Sequence, residues 1–317
     1  MWDPASGTWT NLASGMNGLV CSLAHNGTNL YAGGKFSVAG GVAATYVAMW
    51  DGTTWTSLGG GPASACWALA FGGTNLYCGN DKRNTSPQNI AGVSTWNGTT
   101  WTLSRAWPYN VANLMFDVEY VGGTLYAGGN FRMLGGVGAT NLAMRNPADT
   151  GTWASMGGAN GYVYTLAQDG TNLYAGGMFT NVAGVDASLI AMWNGANWTN
   201  LGSSVQGFRV YRALHDGRNL YVAGTFTNAG GVALNNIAMW NGSSWTNVGD
   251  LGTNVVVYAL AHDGVNLYVG GKFTNVGSVA ASCVAKWGPE IVALSGVAPS
   301  EGAATGGGSS IEGLRDL

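Results

Sequence analysis

The side chains best suited to binding chemistry are basic and aromatic residues concentrated between positions 67 and 132. Arginine beside exposed aromatic rings suits a carboxylate, a sugar or an acidic peptide. This stretch holds four of only 12 basic residues in the chain. The sequence therefore predicts a glycan or peptide site, the alternative being surface charges without a ligand. The candidate ligand-binding residues are Trp67, Lys82, Arg83, Arg105, Trp107, Tyr109 and Arg132.

A second chemical candidate is the carboxylate pair Asp117 and Glu119, which alternate to the same side of one predicted strand. Paired carboxylates can perform glycoside hydrolysis, one acting as acid and the other as base or nucleophile. No P-loop, dinucleotide fingerprint or nucleophile elbow accompanies them. We therefore predict no catalytic residues, and keep a glycoside hydrolase as a minor alternative.

Histidine and cysteine give no metal or cofactor signature. His25, His215 and His262 precede turns, and no carboxylate or cysteine accompanies them at fixed spacing, so we expect solvated or turn-bonded rings. The cysteine spacing matches no zinc or haem pattern, which favours small buried apolar side chains, with a Cys21–Cys66 bridge as the alternative. The four cysteines are Cys21, Cys66, Cys78 and Cys283. No cofactor is expected.

Composition excludes several classes of partner. The chain of 317 residues has a formal net charge of -3 and only 9% charged residues, where about 25% is usual. Nucleic-acid binding needs a dense basic face, so no nucleic-acid partner is expected. No apolar run reaches the length of a membrane-spanning helix, so no membrane insertion is expected. Few charges with abundant glycine and small polar residues favour an extracellular or cell-surface location. The first ten residues lack the features of a signal peptide, which predicts a mature form or a fragment of a longer exported protein.

An internal repeat must position the candidate residues. The segment Leu-Tyr-x-Gly-Gly, intact or altered, recurs six times, and its tyrosines are 46 to 49 residues apart. Each copy contains short apolar segments joined by Asn-Gly, Asp-Gly or Gly-Gly turns, a pattern typical of β-hairpins. A period in the forties predicts an all-β, six-bladed β-propeller of four-stranded blades over residues 1–288. The repeat tyrosines are Tyr31, Tyr77, Tyr126, Tyr174, Tyr221 and Tyr268.

The two ends of the chain predict how the ring closes. The sixth copy stops after its third strand at Trp287, whereas residues 7–12 form a fourth strand without a blade. We expect this N-terminal strand to complete the last blade. In such blades the loops between strands b and c and between strands d and a emerge on one face. The predicted ligand-binding residues of blades 2 and 3 should then gather on that face.

The repeat resembles the kelch family, most closely in residues 2–12, WDPASGTWTNL. Its Ala-Gly-Gly-Val loop, as at residues 39–42, is similar to repeats of large exported proteins and of fungal cell-polarity markers. The turn at residues 51–55 resembles the Asp-box of six-bladed sialidases, which implies that Arg83, Arg105 and Arg132 could hold a substrate carboxylate. Residues 289–317 resemble the start of an immunoglobulin-like IPT/TIG module, which implies further domains. The alternative for this tail is a linker.

Residues present in every copy are best explained by blade packing, and residues found in one copy need another reason. Twelve of the 14 tryptophans are repeat residues, whereas Trp67 and Trp107 are not. Four residues before the histidine position, most copies carry an aromatic residue, such as Tyr211 before His215. We expect these aromatic residues to lie near the channel and to serve either core packing or a binding platform. We expect a non-catalytic recognition or structural module with a glycan, peptide or protein partner. The alternative is a scaffold of a surface or filament assembly.

Overall fold

A computed structural model describes residues 2–3, 8–80, 91–107, 114–145, 152–202, 205–249, 251, 255–276, 279–281 and 283–288. All regular secondary structure in these ranges is β-strand. No helix of a length and hydropathy able to cross a bilayer occurs within them. The C-terminal tail, residues 289–317, lies outside the described residues.

The strands follow the predicted repeat. The N-terminal hairpin comprises β1 (Trp2–Asp3) and β2 (Thr8–Trp9). Blade 1 comprises β3 (Leu19–His25), β4 (Leu30–Lys35), β5 (Val38–Ala39), β6 (Val42–Ala43), β7 (Val47–Trp50) and β8 (Trp55–Ser57). Blade 2 comprises β9 (Cys66–Gly72), β10 (Asn75–Asn80), β11 (Gly92–Trp96) and β12 (Trp101–Trp107). Blade 3 comprises β13 (Leu114–Val121), β14 (Thr124–Asn130), β15 (Met133–Leu134), β16 (Val137–Gly138), β17 (Leu142–Arg145) and β18 (Trp153–Ser155).

The second half of the chain repeats the same order. Blade 4 comprises β19 (Tyr162–Gln168), β20 (Leu173–Met178), β21 (Asn181–Val182), β22 (Val185–Asp186), β23 (Ile190–Trp193) and β24 (Trp198–Thr199). Blade 5 comprises β25 (Val205–His215), β26 (Leu220–Ala229), β27 (Val232–Ala233), β28 (Ile237–Trp240) and β29 (Trp245–Thr246). Blade 6 comprises β30 (Val256–His262), β31 (Leu267–Lys272), β32 (Asn275–Val276), β33 (Val279–Ala280) and β34 (Val284–Trp287).

The six antiparallel sheets ring an axis, so the predicted six-bladed β-propeller is confirmed. In each blade the first strand, strand a, lies innermost, and all six a strands line a central channel of about 620 Å³. Strands b, c and d follow outward in antiparallel order. The core is correspondingly divided into apolar clusters between neighbouring sheets, because a sheet packs one face on the preceding blade and the other face on the following blade.

The loops between strands b and c and the linkers between strands d and a lie on one face, as predicted. They are hydrogen-bonded to each other: the Gly40 amide donates to the carbonyl of Gly15 at 2.7 Å, and the Ala183 amide donates to that of Gly158 at 2.8 Å. Most b–c loops form a small hairpin, such as β5 with β6. We call the end of the channel at this face the loop-end mouth.

The repeat tryptophans tie each blade to the linker that enters it. Those on strand d are mostly buried, and the indole N–H groups of four of them donate to linker carbonyls at 2.7 to 3.0 Å. Each of these four also packs on the strand-c tryptophan of its own blade, as Trp55 does on Trp50 with ring centroids 5.3 Å apart. A buried indole N–H needs such a partner, so these residues have the structural role that their periodicity predicts. The four donor–acceptor pairs are Trp55–Leu12, Trp101–Leu58, Trp198–Met156 and Trp245–Leu201.

The Gly-Gly pair of the repeat motif is required by two different contacts. A Cβ on the first glycine would strike the next blade, as at Gly128, where Val163 lies 2.7 Å away. A Cβ on the second glycine would overlap a carbonyl oxygen of strand a in the same blade, as Gly177 would with Tyr162. The pair therefore sets both the spacing between blades and the close approach of strands a and b.

The ring closes differently from the prediction. Among the described residues β2 pairs with β1, through Trp2 opposite Trp9, and neither strand pairs with β34. Blade 6 thus has three strands in its sheet here. Pairing within one hairpin closes a much shorter loop than pairing between the two ends of the chain, which favours the local partner.

The interface between blades 6 and 1 is consequently looser than the others. Val20 is 39% exposed, whereas the residues equivalent to it in the other five blades are 0% exposed. Val284, on the blade 6 side, is 40% exposed, although its equivalents are at most 1% exposed. We call this interface, with Leu19, Val20, Leu23 and Val284, the seam.

We predict that Gly177→Ala destabilises the protein by about 1–3 kcal/mol, because the added methyl group overlaps a backbone oxygen. The matched control is Gly60→Ala, where nothing lies within 4 Å and the backbone is not left-handed. Urea unfolding monitored by tryptophan fluorescence gives both values. Equal midpoints for the two variants would show that the close approach of strands a and b is not required.

Candidate binding site at the loop-end mouth

Every strand a carries a β-bulge at the same position, near its start at the loop-end mouth. The pairing with strand b skips one residue there, and in five blades that residue is aromatic. A bulge re-aims the side chain of the extra residue. We call these six residues the collar, and they are Cys21, Trp67, Phe116, Tyr164, Tyr211 and Tyr258.

The collar rings contact one another from blade to blade. Ring centroids are 5.0 Å apart between Phe116 and Tyr164, 5.9 Å between Tyr164 and Tyr211, and 5.4 Å between Tyr211 and Tyr258. Tyr162 adds a fifth ring, 6.2 Å from Tyr164. Tyr164 is buried, whereas the others are half-buried. The arrangement is an arc of aromatic rings that is partly accessible from solvent.

Blade 5 extends this arc with a charged residue. Its first strand, β25, has 11 residues, against seven or eight in the other a strands, and two further register shifts flank Gly207. The guanidinium carbon of Arg209 lies 4.3 Å from the ring centre of Phe208, 5.3 Å from that of Tyr211 and 5.7 Å from that of Tyr164. Arg209 is buried, whereas Phe208 is 59% exposed. These contacts are cation–π interactions.

The predicted ligand-binding residues divide into two groups. Trp67 lies in the collar, on strand β9. Arg105, Trp107 and Arg132 meet where blades 2 and 3 join: Trp107 pairs with Met133, next to Arg132, and the Arg105 carbonyl accepts the Gly135 amide at 2.8 Å. The side chains of Arg105 and Arg132 are exposed. Lys82, Arg83 and Tyr109 lie outside the described residues.

Phe208, Arg209 and Tyr162 were not among the predicted site residues. A signal was available for Arg209, because the equivalent residues of the other blades are uncharged. Those equivalents are Leu19, Ala65, Leu114, Tyr162 and Val256. The same internal comparison that singled out Trp67 would have identified it.

Deeper in the channel, polar side chains follow the collar residues and join neighbouring blades. The Leu69 amide donates to Ser22 Oγ at 3.1 Å, and the Ala213 amide donates to Thr165 Oγ1 at 3.1 Å. Asp117 occupies the equivalent place, where its Oδ2 accepts the Leu166 amide at 2.8 Å. These hydrogen bonds hold consecutive a strands together around the axis.

The carboxylate pair lies on the channel wall. Arg212 Nη1 is 3.5 Å from Asp117 Oδ2 and reaches it from two blades away. Burial raises the pKa of Asp117, and the positive charge of Arg212 opposes that effect. Burial, with the nearby charge of Asp117, raises the pKa of Glu119 to about 8. Glu119 is therefore mostly protonated at neutral pH, the form in which a carboxyl group can donate a proton or a hydrogen bond.

The histidines have the turn-bonded role that was predicted. The Nδ1 atom of each accepts a backbone amide two residues later, as His25 does from Gly27 at 3.0 Å. Gln168 at the equivalent place accepts the Gly170 amide in the same way. In the described part of the chain no group of three or more His, Cys, Asp or Glu residues could hold a metal ion.

The predicted burial was right for Cys66 and Cys78 and wrong for Cys283, and the alternative of a Cys21–Cys66 bridge was wrong. Cys66 is bonded to Cys78, between strands a and b of blade 2, and not to Cys21. Cys283 is exposed rather than buried. The hairpin of blade 2 places the two sulfur atoms on adjacent strands, with Cα atoms 5.8 Å apart, within the range for a disulfide.

Comparison with known proteins supports the fold. No family model matches the chain, and no curated protein is similar to it. Among solved structures, the chain is similar to the computationally designed Ika8 protein, with a TM-score of 0.54 and 13% identity over 88% of this chain and 87% of that one. At this identity the likeness concerns the arrangement of the backbone alone.

We predict that Glu119→Gln makes stability less dependent on pH. The pKa of Glu119 is higher in the folded chain, about 8 against 4.5 for an ordinary glutamate, so deprotonation favours the unfolded chain. The parent should lose stability between about pH 4.5 and 8, by on the order of 3–5 kcal/mol from this group. The variant should show its largest advantage above pH 8 and little below pH 4.

Denaturant unfolding of both proteins across that range measures the effect. Glu119→Ala is the control for removing the whole side chain, because alanine is tolerated at the equivalent position of four other blades. Those residues are Ala24, Ala70, Ala167 and Ala261. A constant difference between parent and Glu119→Gln at all pH values would exclude a buried, titrating carboxyl group.

Proposed function

We propose that this propeller is a non-catalytic recognition module that binds a glycan or peptide at the loop-end mouth. The observation that carries this role is the collar, in which one bulge per blade presents a residue to the same end of the channel. Blade packing already has its own aromatic residues in the repeat tyrosines and tryptophans. A further arc of half-buried rings is suited to the apolar faces of sugars and to peptide side chains.

The basic residues at the rim support the same role. Arg105 and Arg132 are exposed on the loop face beside the junction of blades 2 and 3. The sequence assigns Lys82, Arg83, Trp107 and Tyr109 to the same site, where they would add charge and aromatic surface for a carboxylate or an acidic peptide. The low charge content of the chain and its kelch-like repeat favour an extracellular or cell-surface protein.

The decisive variant for this role is the double substitution Tyr211→Ala, Tyr258→Ala. We expect it to reduce retention on a glycan array, or on an immobilised peptide library, by at least about tenfold, since each stacking contact of a ligand group on an aromatic ring contributes on the order of 1 kcal/mol. The control is Val265→Ala, a 69% exposed residue at the opposite end of blade 6. Near-UV circular dichroism confirms that both variants fold.

The rim is tested separately by Arg105→Ala with Trp107→Ala. Loss of retention in this variant and in the collar variant would support one continuous site. Retention that is unchanged by both double substitutions, in a parent protein that binds, would reject the loop-end mouth as the site.

A scaffold or assembly role is the second candidate, and the exposed apolar residues of the seam favour it. The other five interfaces bury the positions of Val20 and Val284, so the seam has the shape and chemistry to pack against another blade. A second copy of the chain would supply such a surface.

If the seam mediates assembly, light scattering should show an average mass that rises with protein concentration. Leu23→Ser, at a residue that is 60% exposed, should lower that association, whereas Val265→Ser should not. A strict monomer at all concentrations would count against the scaffold role.

A further inference from the structure

Arg209 distinguishes blade 5 from every other blade at the loop-end mouth. The equivalent residues are apolar or, in blade 4, tyrosine, so blade packing does not require a cation there. We propose that Arg209 binds the carboxylate of an acidic saccharide, a uronic-acid sugar, whose ring rests on the neighbouring aromatic residues. This assignment depends on the recognition role proposed above and names its ligand class.

The first support is the surroundings of the guanidinium group. Burying a charge is unfavourable unless polar or aromatic groups stabilise it. Here Phe208, Tyr211 and Tyr164 all lie within 6 Å of the guanidinium carbon. Such packing fixes the plane of the guanidinium group, and a guanidinium held in place can bind both oxygens of a carboxylate at once.

The second support is the hydroxyl group of Tyr164. It is buried and has no hydrogen-bond partner within the described part of the chain. Its ring lies 5.7 Å from the guanidinium carbon of Arg209. Burying a hydroxyl group without a partner is unfavourable, and a ligand oxygen at this place would supply the missing hydrogen bond.

The access route is provided by Phe208. Its ring lies over the guanidinium group, yet the residue is 59% exposed and sits between two register shifts of β25. Its side chain can therefore move aside with little loss of packing, so that a ligand reaches the guanidinium group from solvent.

A saccharide fits this surface better than a peptide does. Three collar residues, Tyr164, Tyr211 and Tyr258, and the neighbouring Tyr162 carry phenol hydroxyls, which donate and accept hydrogen bonds as sugar hydroxyls do. The rings present flat apolar faces beside them. One uronic-acid residue could therefore make three kinds of contact: its carboxylate with Arg209, its hydroxyls with the phenol groups, and its ring with the aromatic faces.

The experiment compares ligands and variants by isothermal titration calorimetry with the full chain. The probes are a tetrasaccharide of galacturonic acid, the neutral tetrasaccharide of galactose and a tetraglutamate peptide. The variants are Arg209→Leu, which places at this position the residue that blades 1 and 3 carry, and Arg209→Lys. Arg218→Leu, at an exposed arginine on the opposite end of the same blade, is the control.

We expect the parent and the control to bind the acidic tetrasaccharide at least about tenfold more tightly than the neutral one. Arg209→Leu should abolish this preference, because it weakens binding of the acidic tetrasaccharide at least about tenfold more than binding of the neutral one. Arg209→Lys should retain part of the preference, since the charge remains but the paired hydrogen bonds are lost.

Each other outcome has a distinct meaning. Equal affinity of the parent for acidic and neutral tetrasaccharides, unaffected by Arg209→Leu, overturns the role of Arg209 and leaves the recognition role intact. Tighter binding of tetraglutamate than of the acidic tetrasaccharide overturns the saccharide assignment. Absence of binding to all three probes overturns the assignment, and the array experiment on the collar then decides whether the recognition role fails as well.

Discussion

The contact on which the structure depends is the approach of strand a to the second glycine of the repeat motif. A side chain at Gly177 would overlap the Tyr162 carbonyl, and the same relation holds at Gly34, Gly129 and Gly271. Without a Cβ in the way, strand a can bulge toward strand b by one residue. The first glycine, as at Gly128, leaves room for the next blade. In blades 1, 3 and 4 the two glycines thereby set the geometry both within the sheet and between sheets, whereas blade 2 bulges at the same place with Asn80 at the second position.

The bulge connects this backbone constraint to the site. Because each blade bulges at the same residue, the extra side chains form a ring around one end of the channel. The residue after the bulge then reaches the next blade, as Thr165 and Asp117 do through hydrogen bonds to backbone amides. The repeat determines where these side chains lie around the channel, and residues that differ in single blades provide the charged groups. Arg209, Glu119 and Arg212 are charged where most other blades carry small or apolar residues.

Much of the fold could be predicted from the sequence, because the period of the motif and the turn dipeptides are local signals. The blade number, the turn-bonded histidines and the shared loop face follow from them. The bulge could not be predicted from such signals, because it depends on how strands a and b pair. The collar residues themselves were recognised in the sequence as an aromatic position of the repeat. The count of strands predicted that the N-terminal strand closes the ring in blade 6. Instead that strand pairs within its own hairpin, through Trp2 and Trp9. The Cys66–Cys78 bond depends on a hairpin register that spacing alone does not fix.

Residues placed by the bulges form the proposed ligand surface, and a crystal structure of the protein with a bound oligosaccharide would show whether they do. We expect a sugar ring packed on the rings of Tyr211 and its collar neighbours, at van der Waals distances of roughly 3.5–4 Å. Well-ordered sugar density found only on the outer strands or around the a–b turns, with the collar unoccupied, would contradict it.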